Sequence, residues 1–229
     1  MKALTKYIFP DICSFCCKAP PASENLLCKE CLEEISHTQE NSCPLCSSDA
    51  IGLLDVCHQC LDLKRPWAHG GAPLKFSGLT REIIHKYKYN SNMALSRFLT
   101  FEMNQFIENR DFPDISAVTM VPLHWFKYFR RGFNQAEVLA RGVAEYLGVP
   151  CIKTLKRRRA ASAQALKSRQ QRQKNITHIF DVPEKQKVPN GAILLIDDVM
   201  TTGTTLAACT KALIEAGAGK VYVLTAARG

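Results

Sequence analysis

Apolar and polar residues recur along this chain with two different periods, which predict a succession of helices and strands from residue 79 onward. Several segments repeat apolar residues at helical spacing, whereas short unbroken apolar runs are typical of strands buried on both faces. The predicted helices are 79–89, 93–109 and 133–147, and the predicted strands are 117–121, 151–155, 193–196 and 221–226. Strands that alternate with helices predict an α/β fold, in which a parallel sheet carries helices on both faces.

The predicted helix 133–147 has sequence signals at both of its ends. Gly148 and Pro150 end it, because glycine adopts the left-handed conformation after a last helical turn and proline cannot continue the helix. Gly132 and Asn134 are interpreted as a turn and an N-cap. The alternative is that these two residues belong to a ligand site.

The most informative segment, residues 192–205, reads AILLIDDVMTTGTT. Its apolar run predicts a buried strand, Asp197 and Asp198 follow directly, and a hydroxyl-rich loop leads into a predicted helix. Ligands of open α/β sheets bind at the carboxyl ends of strands, and a helix N-terminus favours an anion. We therefore expect a phosphate at the loop, whose residues are Thr201, Thr202, Gly203, Thr204 and Thr205.

The two acids cannot bind that same phosphate, so we expect them to bind sugar hydroxyls or a divalent metal. A structural alternative is that they only cap the following helix. A Walker phosphate loop is excluded, because no Gly-Lys-Ser/Thr follows a glycine-rich run. The segment resembles the phosphoribosyl-pyrophosphate (PRPP) motif of type I phosphoribosyltransferases. This resemblance implies that Asp197 and Asp198 contact the ribose, that residues 201–205 surround the 5′-phosphate, and that Mg²⁺ accompanies PRPP.

Nine of the 11 cysteines lie within the first 60 residues, and eight of them form four Cys-x-x-Cys pairs. The candidate metal ligands are Cys13, Cys16, Cys28, Cys31, Cys43, Cys46, Cys57 and Cys60. Four pairs complete two tetrahedral zinc sites, most simply the first with the second and the third with the fourth. The alternatives are a redox relay, or one structural zinc with spare thiols. Zinc knuckles often have glycine after the second cysteine, whereas this chain has Cys17, Leu32, Ser47 and Leu61 there.

Location decides how these cysteines are interpreted. No apolar stretch approaches the roughly 20 residues of a membrane span, and the N-terminal apolar core is too short for a signal peptide. We therefore expect a cytoplasmic protein, in which reduced thiols bind metal rather than form disulfides.

Charge is distributed unevenly between a Cys-rich zinc module predicted at residues 1–65 and a larger domain predicted at 66–229. The first part has six Lys and Arg against nine Asp and Glu, a net charge of −3, whereas the second has a net charge of +12. Residues 153–174 contain nine cations and no acid, which favours a polyanion such as single-stranded DNA. The candidate nucleic-acid-binding residues are Arg157, Arg158, Arg159, Arg169 and Arg172. The competing interpretation, which the resemblance to type I phosphoribosyltransferases implies, is a mobile hood over the phosphorylated substrate.

Taken together, the chain is identified as a member of the ComF family, which is phosphoribosyltransferase-like and linked to natural competence and DNA utilisation. The resemblance covers nearly the whole chain. It rests on the cysteine pairs, REIIHKYKY at 81–89, VPLHWFKYFRRGFNQ at 121–135, the segment containing Gln164, Arg172 and Asn175, and the PRPP motif. It implies a type I phosphoribosyltransferase-like domain after a double zinc ribbon, and a protein that binds PRPP and helps to take up or use DNA with the competence machinery.

The resemblance also implies a second anion pocket for pyrophosphate. Its candidate residues are Lys88, His124, Arg130 and Arg131. Aromatic residues at 125–129 lie beside these cations and either stack on bases or form a buried cluster. The resemblance does not by itself imply that transfer is catalysed. Two alternatives stay open, namely a salvage phosphoribosyltransferase with an unknown acceptor and a non-catalytic zinc and single-stranded-DNA-binding adaptor.

Overall fold

The computed structural model describes residues 12–22, 26–49, 55–89, 92, 94–110, 112–123, 125–157, 179–183 and 188–229. The helices are α1 (Lys29–Glu33), α2 (His58–Leu63), α3 (Gly78–Tyr89), α4 (Ala94–Glu108), α5 (Trp125–Arg131), α6 (Gln135–Leu147) and α7 (Thr204–Glu215). The strands are β1 (His69–Gly71), β2 (Leu74–Lys75), β3 (Ala117–Met120), β4 (Lys156–Arg157), β5 (Phe180–Asp181), β6 (Ala192–Met200) and β7 (Lys220–Arg228).

The main sheet is parallel and has the strand order β1–β7–β6–β3. β2 continues the outer edge by pairing with the end of β7. β6 and β7 lie in the centre, and their apolar runs are buried because helices cover both faces of the sheet. α3, α4 and α6 pack on one face, and α7 packs on the other. The predicted α/β class, with a parallel sheet and helices on both faces, is confirmed.

The predicted helices are confirmed to within two residues at each end. The α6 signals act as expected: Asn134 accepts a hydrogen bond from the Ala136 N–H, and Gly148 ends the helix at φ 68°. Gly132 makes the preceding turn at φ 76°. The structural interpretation of Gly132 and Asn134 therefore accounts for both residues.

The predicted strand 151–155 is wrong in extent. Only one bridge forms, between Cys151 and Val118. The hydroxyl of Thr119 then donates to the carbonyl of Ile152 and lies 2.9 Å from the hydroxyl of Thr154. Side-chain contacts therefore replace the ladder of backbone hydrogen bonds that a strand requires.

The strand of the acid pair was predicted to end at residue 196, and this is also wrong. β6 continues to Met200, because β7 pairs with it as far as Arg228. On the other side β3 ends opposite Ile196. Asp197 and Asp198 therefore lie inside β6, on the stretch that pairs with β7 but no longer with β3.

The Cys-rich segment packs against the sheet on both of its faces. The first two cysteine pairs belong to the hydrophobic core of α3, α4 and α6, whereas the last two belong to the core of α7. Lys86 on α3 donates to the carbonyl of Phe15 and lies 4.0 Å from the centre of its ring. His37 forms a 2.9 Å contact with Glu102 on α4. The division into 1–65 and 66–229 stays a prediction.

Candidate functional site

The acid pair lies at the carboxyl end of the central sheet, as the motif predicted. Both side chains are half-buried, and the Asp198 N–H donates to Oδ1 of Asp197 over 2.9 Å. Lys88, at the end of α3, forms a 2.8 Å ion pair with Asp198. The fold thus brings one predicted pyrophosphate cation into contact with a predicted ribose-binding acid.

The hydroxyl loop follows directly, at the N-terminus of α7. Gly203 is its only buried residue and adopts a left-handed φ of 72°, whereas the four threonines of 201–205 are exposed. Within the described chain, the backbone N–H groups of Thr201, Thr202 and Gly203 have no hydrogen-bond partner. Consecutive free N–H groups at a helix start form an anion-binding concavity, so the loop is suited to a phosphate.

Two arginines hold the loop through its carbonyl groups, and neither was among the residues predicted from the sequence. Arg228 donates to the carbonyls of Met200 and Thr201 over 3.3 and 2.8 Å, and Arg65 donates to the carbonyl of Thr202 over 2.7 Å. In a trans peptide the N–H points away from the carbonyl. Arginines that hold carbonyls on one side therefore turn the next N–H groups towards the other side. Neither arginine lies in a recognisable motif, so only the folded structure identifies them.

The remaining predicted pyrophosphate residues lie on or next to α5. Arg131 donates to the side chain of Gln135 and to the hydroxyl of Tyr89, and its guanidinium lies 4.8 Å from the centre of the Tyr89 ring. Arg130 is exposed, and His124 lies outside the described residues. Arg131 thus contacts Tyr89, the neighbour in sequence of the Lys88 that pairs with Asp198.

An open cavity of about 720 Å³ runs along α3 beside these residues. Its polar lining includes Arg81, His85, Lys88 and Tyr89. Behind it, Tyr87 is buried and donates to the carbonyl of Gln135. Burial, with a smaller effect from the charge of Asp198, raises the pKa of Tyr87, so its hydroxyl stays neutral.

The eight predicted metal ligands form two groups of four sulfur atoms. Cys13, Cys16, Cys28 and Cys31 make up the first metal group, and Cys43, Cys46, Cys57 and Cys60 make up the second metal group. Within each group all ligand atoms lie within 4.8 Å of one another. The predicted pairing of neighbours, first with second and third with fourth, is confirmed.

The spacing of the sulfur atoms fits zinc. Sulfur–sulfur distances are 3.8 Å for Cys13–Cys31, 3.7 Å for Cys16–Cys28 and 3.6 Å for Cys46–Cys57. A tetrahedral site with Zn–S bonds of about 2.3 Å has edges of about 3.8 Å. Each group combines a tight turn, which carries its first pair, with the start of a short helix, α1 or α2, which carries its second.

The missing glycines are explained by this arrangement. Cys17 and Ser47, which follow the first pair of each group, adopt the left-handed φ values of 58° and 56° that glycine usually supplies. Their N–H groups donate to the carbonyls of Cys13 and Cys43. Leu32 and Leu61 follow the second pairs, at α1 and α2, and need no such conformation.

The thiols of each group differ in acidity. Burial tends to raise the pKa of Cys13, but hydrogen bonds from the N–H groups of Cys16, Cys28 and Phe15 outweigh it and lower this pKa to about 6. Hydrogen bonds to Cys43 and Cys46, together with burial, raise the pKa of Cys60. Zinc binding would therefore displace protons from the less acidic thiols, and its affinity would fall as the pH falls.

Of the five predicted nucleic-acid residues, Arg157 lies in the described part of the chain. Arg157 is exposed at the end of β4, and its guanidinium lies 5.5 Å from the centre of the Phe180 ring. Arg158, Arg159, Arg169 and Arg172 lie outside the described residues. On α5, the exposed fractions are 55% for Phe126, 52% for Tyr128 and 85% for Phe129. Of the two interpretations of these aromatic residues, a buried cluster is therefore wrong for these three side chains.

Comparisons with known proteins agree with this architecture. Residues 133–229 match the family model of the phosphoribosyl transferase domain. The chain is similar to the DNA utilization protein YhgH of Escherichia coli strain K12, with 27% identity over 93% of this chain and 95% of that protein. It is also similar to competence protein F of Haemophilus influenzae, with 27% identity over 90% of this chain and 92% of that protein. The resemblance to the ComF family is confirmed.

The matched domain of this ComF-like chain contains α6, β6, the hydroxyl loop, α7 and β7. Among solved structures, the chain is similar to glutamine PRPP amidotransferase from B. subtilis, with 20% identity, 61% of this chain and 30% of that chain covered, and a TM-score of 0.42. Among the helices that the structure describes, none has the length and apolar character that a membrane span needs.

Proposed function

We propose that this protein binds PRPP with Mg²⁺ at the carboxyl ends of β3 and β6, and that it acts in the uptake and use of DNA. One observation carries the proposal: the half-buried acid pair of β6 adjoins an exposed loop whose successive N–H groups have no hydrogen-bond partner among the described residues. Such N–H groups bind a phosphate, and carboxylates bind neighbouring hydroxyls. A sugar phosphate requires both kinds of group side by side.

The rest of PRPP extends towards α3 and α5 in this proposal. The 5′-phosphate binds at residues 201–205, and the ribose hydroxyls bind Asp197 and Asp198. Lys88 is already paired with Asp198, so its ammonium needs only a small movement to contact a pyrophosphate oxygen. Arg130 and Arg131 supply further positive charge on that side, and His124 stays a candidate there.

Mg²⁺ suits this donor set, because it binds through one or two carboxylates together with substrate oxygens. The acid pair would hold it with the oxygens of PRPP. When bound, it neutralises charge on the pyrophosphate.

Calorimetric titration of the full chain tests the proposal. With Mg²⁺ present, PRPP is expected to bind more tightly than ribose 5-phosphate or pyrophosphate, because each of these fills only part of the site. Equal affinity for PRPP and pyrophosphate would contradict the placement of the 5′-phosphate at the loop. No binding of PRPP with Mg²⁺ would overturn the proposal itself.

The cavity beside Lys88 supports a second candidate function, a salvage phosphoribosyltransferase. At about 720 Å³, and lined by apolar as well as polar side chains, it has room for an acceptor next to the proposed PRPP site. The measurement is release of pyrophosphate from PRPP in the presence of a panel of bases and amines. Release that depends on one acceptor supports catalysis, whereas PRPP binding without release with any acceptor supports an accessory protein.

The DNA part of the proposal rests on charge and on exposed aromatic rings. The names of the relatives refer to DNA utilisation and competence. α5 presents Phe126, Tyr128 and Phe129 to solvent next to Arg130. Aromatic rings interleaved with cations are typical of surfaces on which single-stranded DNA stacks. The basic run 153–174 supplies further charge, and competence proteins remain candidate partners.

Replacing Phe129 by alanine should weaken binding of single-stranded DNA about tenfold, because stacking on one ring contributes about 1–3 kcal/mol. Changing Arg157, Arg158 and Arg159 to alanine should instead flatten the salt dependence by up to about three phosphate contacts. Fluorescence anisotropy with a labelled oligonucleotide at several salt concentrations measures both effects.

Phe101→Ala is the matched control, because Phe101 is an exposed aromatic residue on a different helix, α4. It should leave DNA affinity unchanged. If Phe129→Ala and the triple arginine variant both behave like this control, neither surface binds DNA. Repeating the titration with saturating PRPP shows whether the basic run serves PRPP alone.

A further inference from the structure

Arg65 contacts the second metal group and the phosphate loop at the same time. Its Nε–H donates to the sulfur of Cys60 over 3.4 Å, and its Nη1–H donates to the carbonyl of Thr202 over 2.7 Å. One guanidinium therefore connects a candidate zinc ligand to the loop that starts α7. Because the guanidinium is planar and rigid, a shift at either end is transmitted to the other.

The position of Arg65 is restricted on its other sides. Its guanidinium lies 5.1 Å from the centre of the Trp67 ring, and the indole N–H of Trp67 donates to the carbonyl of Leu45, inside the turn of the second metal group. A side-chain atom added at Gly203 would lie only 2.8 Å from Nη1 of Arg65. Glycine at this position thus permits both the left-handed φ and the close approach of the arginine.

A second connection runs parallel to the first. Arg228, which holds the carbonyls of Met200 and Thr201, also donates to the side chain of Gln59 over 2.8 Å. Gln59 lies on α2, between the metal ligands Cys57 and Cys60. Both arginines that hold the loop are therefore anchored to the short helix that the second metal group organises.

We propose that Arg65 is a positioning residue through which zinc in the second metal group and a phosphate at residues 201–203 strengthen each other's binding. Zinc would fix the position of Cys60 and hold it as a thiolate, which accepts a stronger hydrogen bond from Arg65 than a neutral thiol does. Arg65 in turn holds the Thr202 carbonyl, so that the Gly203 N–H faces the phosphate. The first metal group packs on the opposite face of the sheet, and its contact through Lys86 reaches α3 rather than the phosphate loop. The inference rests on PRPP binding as proposed above.

Arg65→Met tests the connection, because methionine fills much of the same space without donating hydrogen bonds. PRPP affinity, measured by calorimetry on the zinc-loaded full chain, should fall about tenfold, as expected for the loss of a hydrogen bond from a charged donor. Arg65→Lys should restore part of the affinity. Arg110→Met is the matched control, since Arg110 also joins the Cys-rich segment to the sheet domain, but through Gln39 and Ser42.

The mutual effect of zinc and PRPP on each other's binding can also be measured on the wild-type protein, without any variant. If zinc strengthens phosphate binding, PRPP must strengthen zinc binding by the same factor. The wild-type chain is challenged with a chelator and an alkylating agent, and labelling of each cysteine is followed by mass spectrometry. PRPP should slow labelling of Cys57 and Cys60 several-fold more than labelling of Cys28 and Cys31.

The results separate this inference from the proposed function. If wild-type protein fails to bind PRPP, the proposed function fails first. If it binds PRPP but Arg65→Met binds equally well, or if PRPP protects the two metal groups to the same extent, the connection through Arg65 is wrong and PRPP binding stands. Should Arg65→Met fold poorly, the wild-type labelling ratio alone decides.

Discussion

Replacing Asp197 and Asp198 together by alanine is expected to lower PRPP affinity at least hundredfold while the domain stays folded. In the proposed site each carboxylate would accept charge-assisted hydrogen bonds from ribose hydroxyls or bind Mg²⁺, and such interactions contribute about 1.5–3 kcal/mol each. Calorimetry with Mg²⁺ and PRPP measures the loss. Circular dichroism and thermal melting measure what remains of the fold.

The stability cost should be modest but measurable. Lys88 has only 19% of its side chain exposed and loses its ion-pair partner when Asp198 is removed. A cost of about 1–3 kcal/mol is therefore expected, without loss of the sheet. Asp62→Ala combined with Asp114→Ala is the control, because both acids are exposed and lie outside the proposed site. Unchanged PRPP affinity in the Asp197/Asp198 variant would show that the ligand binds elsewhere.

Two zinc ions per chain are expected, and their removal should destabilise the protein as a whole. The metal groups belong to the hydrophobic cores on both faces of the sheet, so loss of metal exposes surface of the sheet as well as of the Cys-rich segment. Structural zinc contributes folding free energy of about 10–16 kcal/mol in small domains. Even a fraction of this should lower the melting temperature by more than about 10 °C.

Elemental analysis of protein purified without chelator measures the zinc content, and melting with and without chelator measures the stability. Cys28→Ser and Cys57→Ser should each lose about one zinc. Cys17→Ser is the matched control, because Cys17 is exposed and lies outside both metal groups. Less than one zinc per wild-type chain, or disulfides within the groups under reducing conditions, would contradict the assignment.

Features carried by neighbouring residues were predictable from the sequence. The apolar run, the acid pair and the hydroxyl loop are contiguous, so the sequence of residues 192–205 by itself predicted the candidate site. Pairing of neighbouring Cys-x-x-Cys pairs was the simplest choice from the sequence, and the structure places those pairs in the same groups. The helix ends at Asn134 and Gly148 followed from local backbone chemistry.

Features that depend on residues distant in the chain were decided only by the tertiary structure. The length of β6 depends on where its neighbours end, which no property of residues 197–200 reveals. Arg65 and Thr202 are 137 positions apart, and their contact exists only because α2 packs beside the start of α7. The ion pair of Lys88 with Asp198 arises in the same way, from the meeting of α3 and β6. Spacing along the chain reports local conformation and the kinds of chemistry present, whereas the partner of each charged group is set by packing.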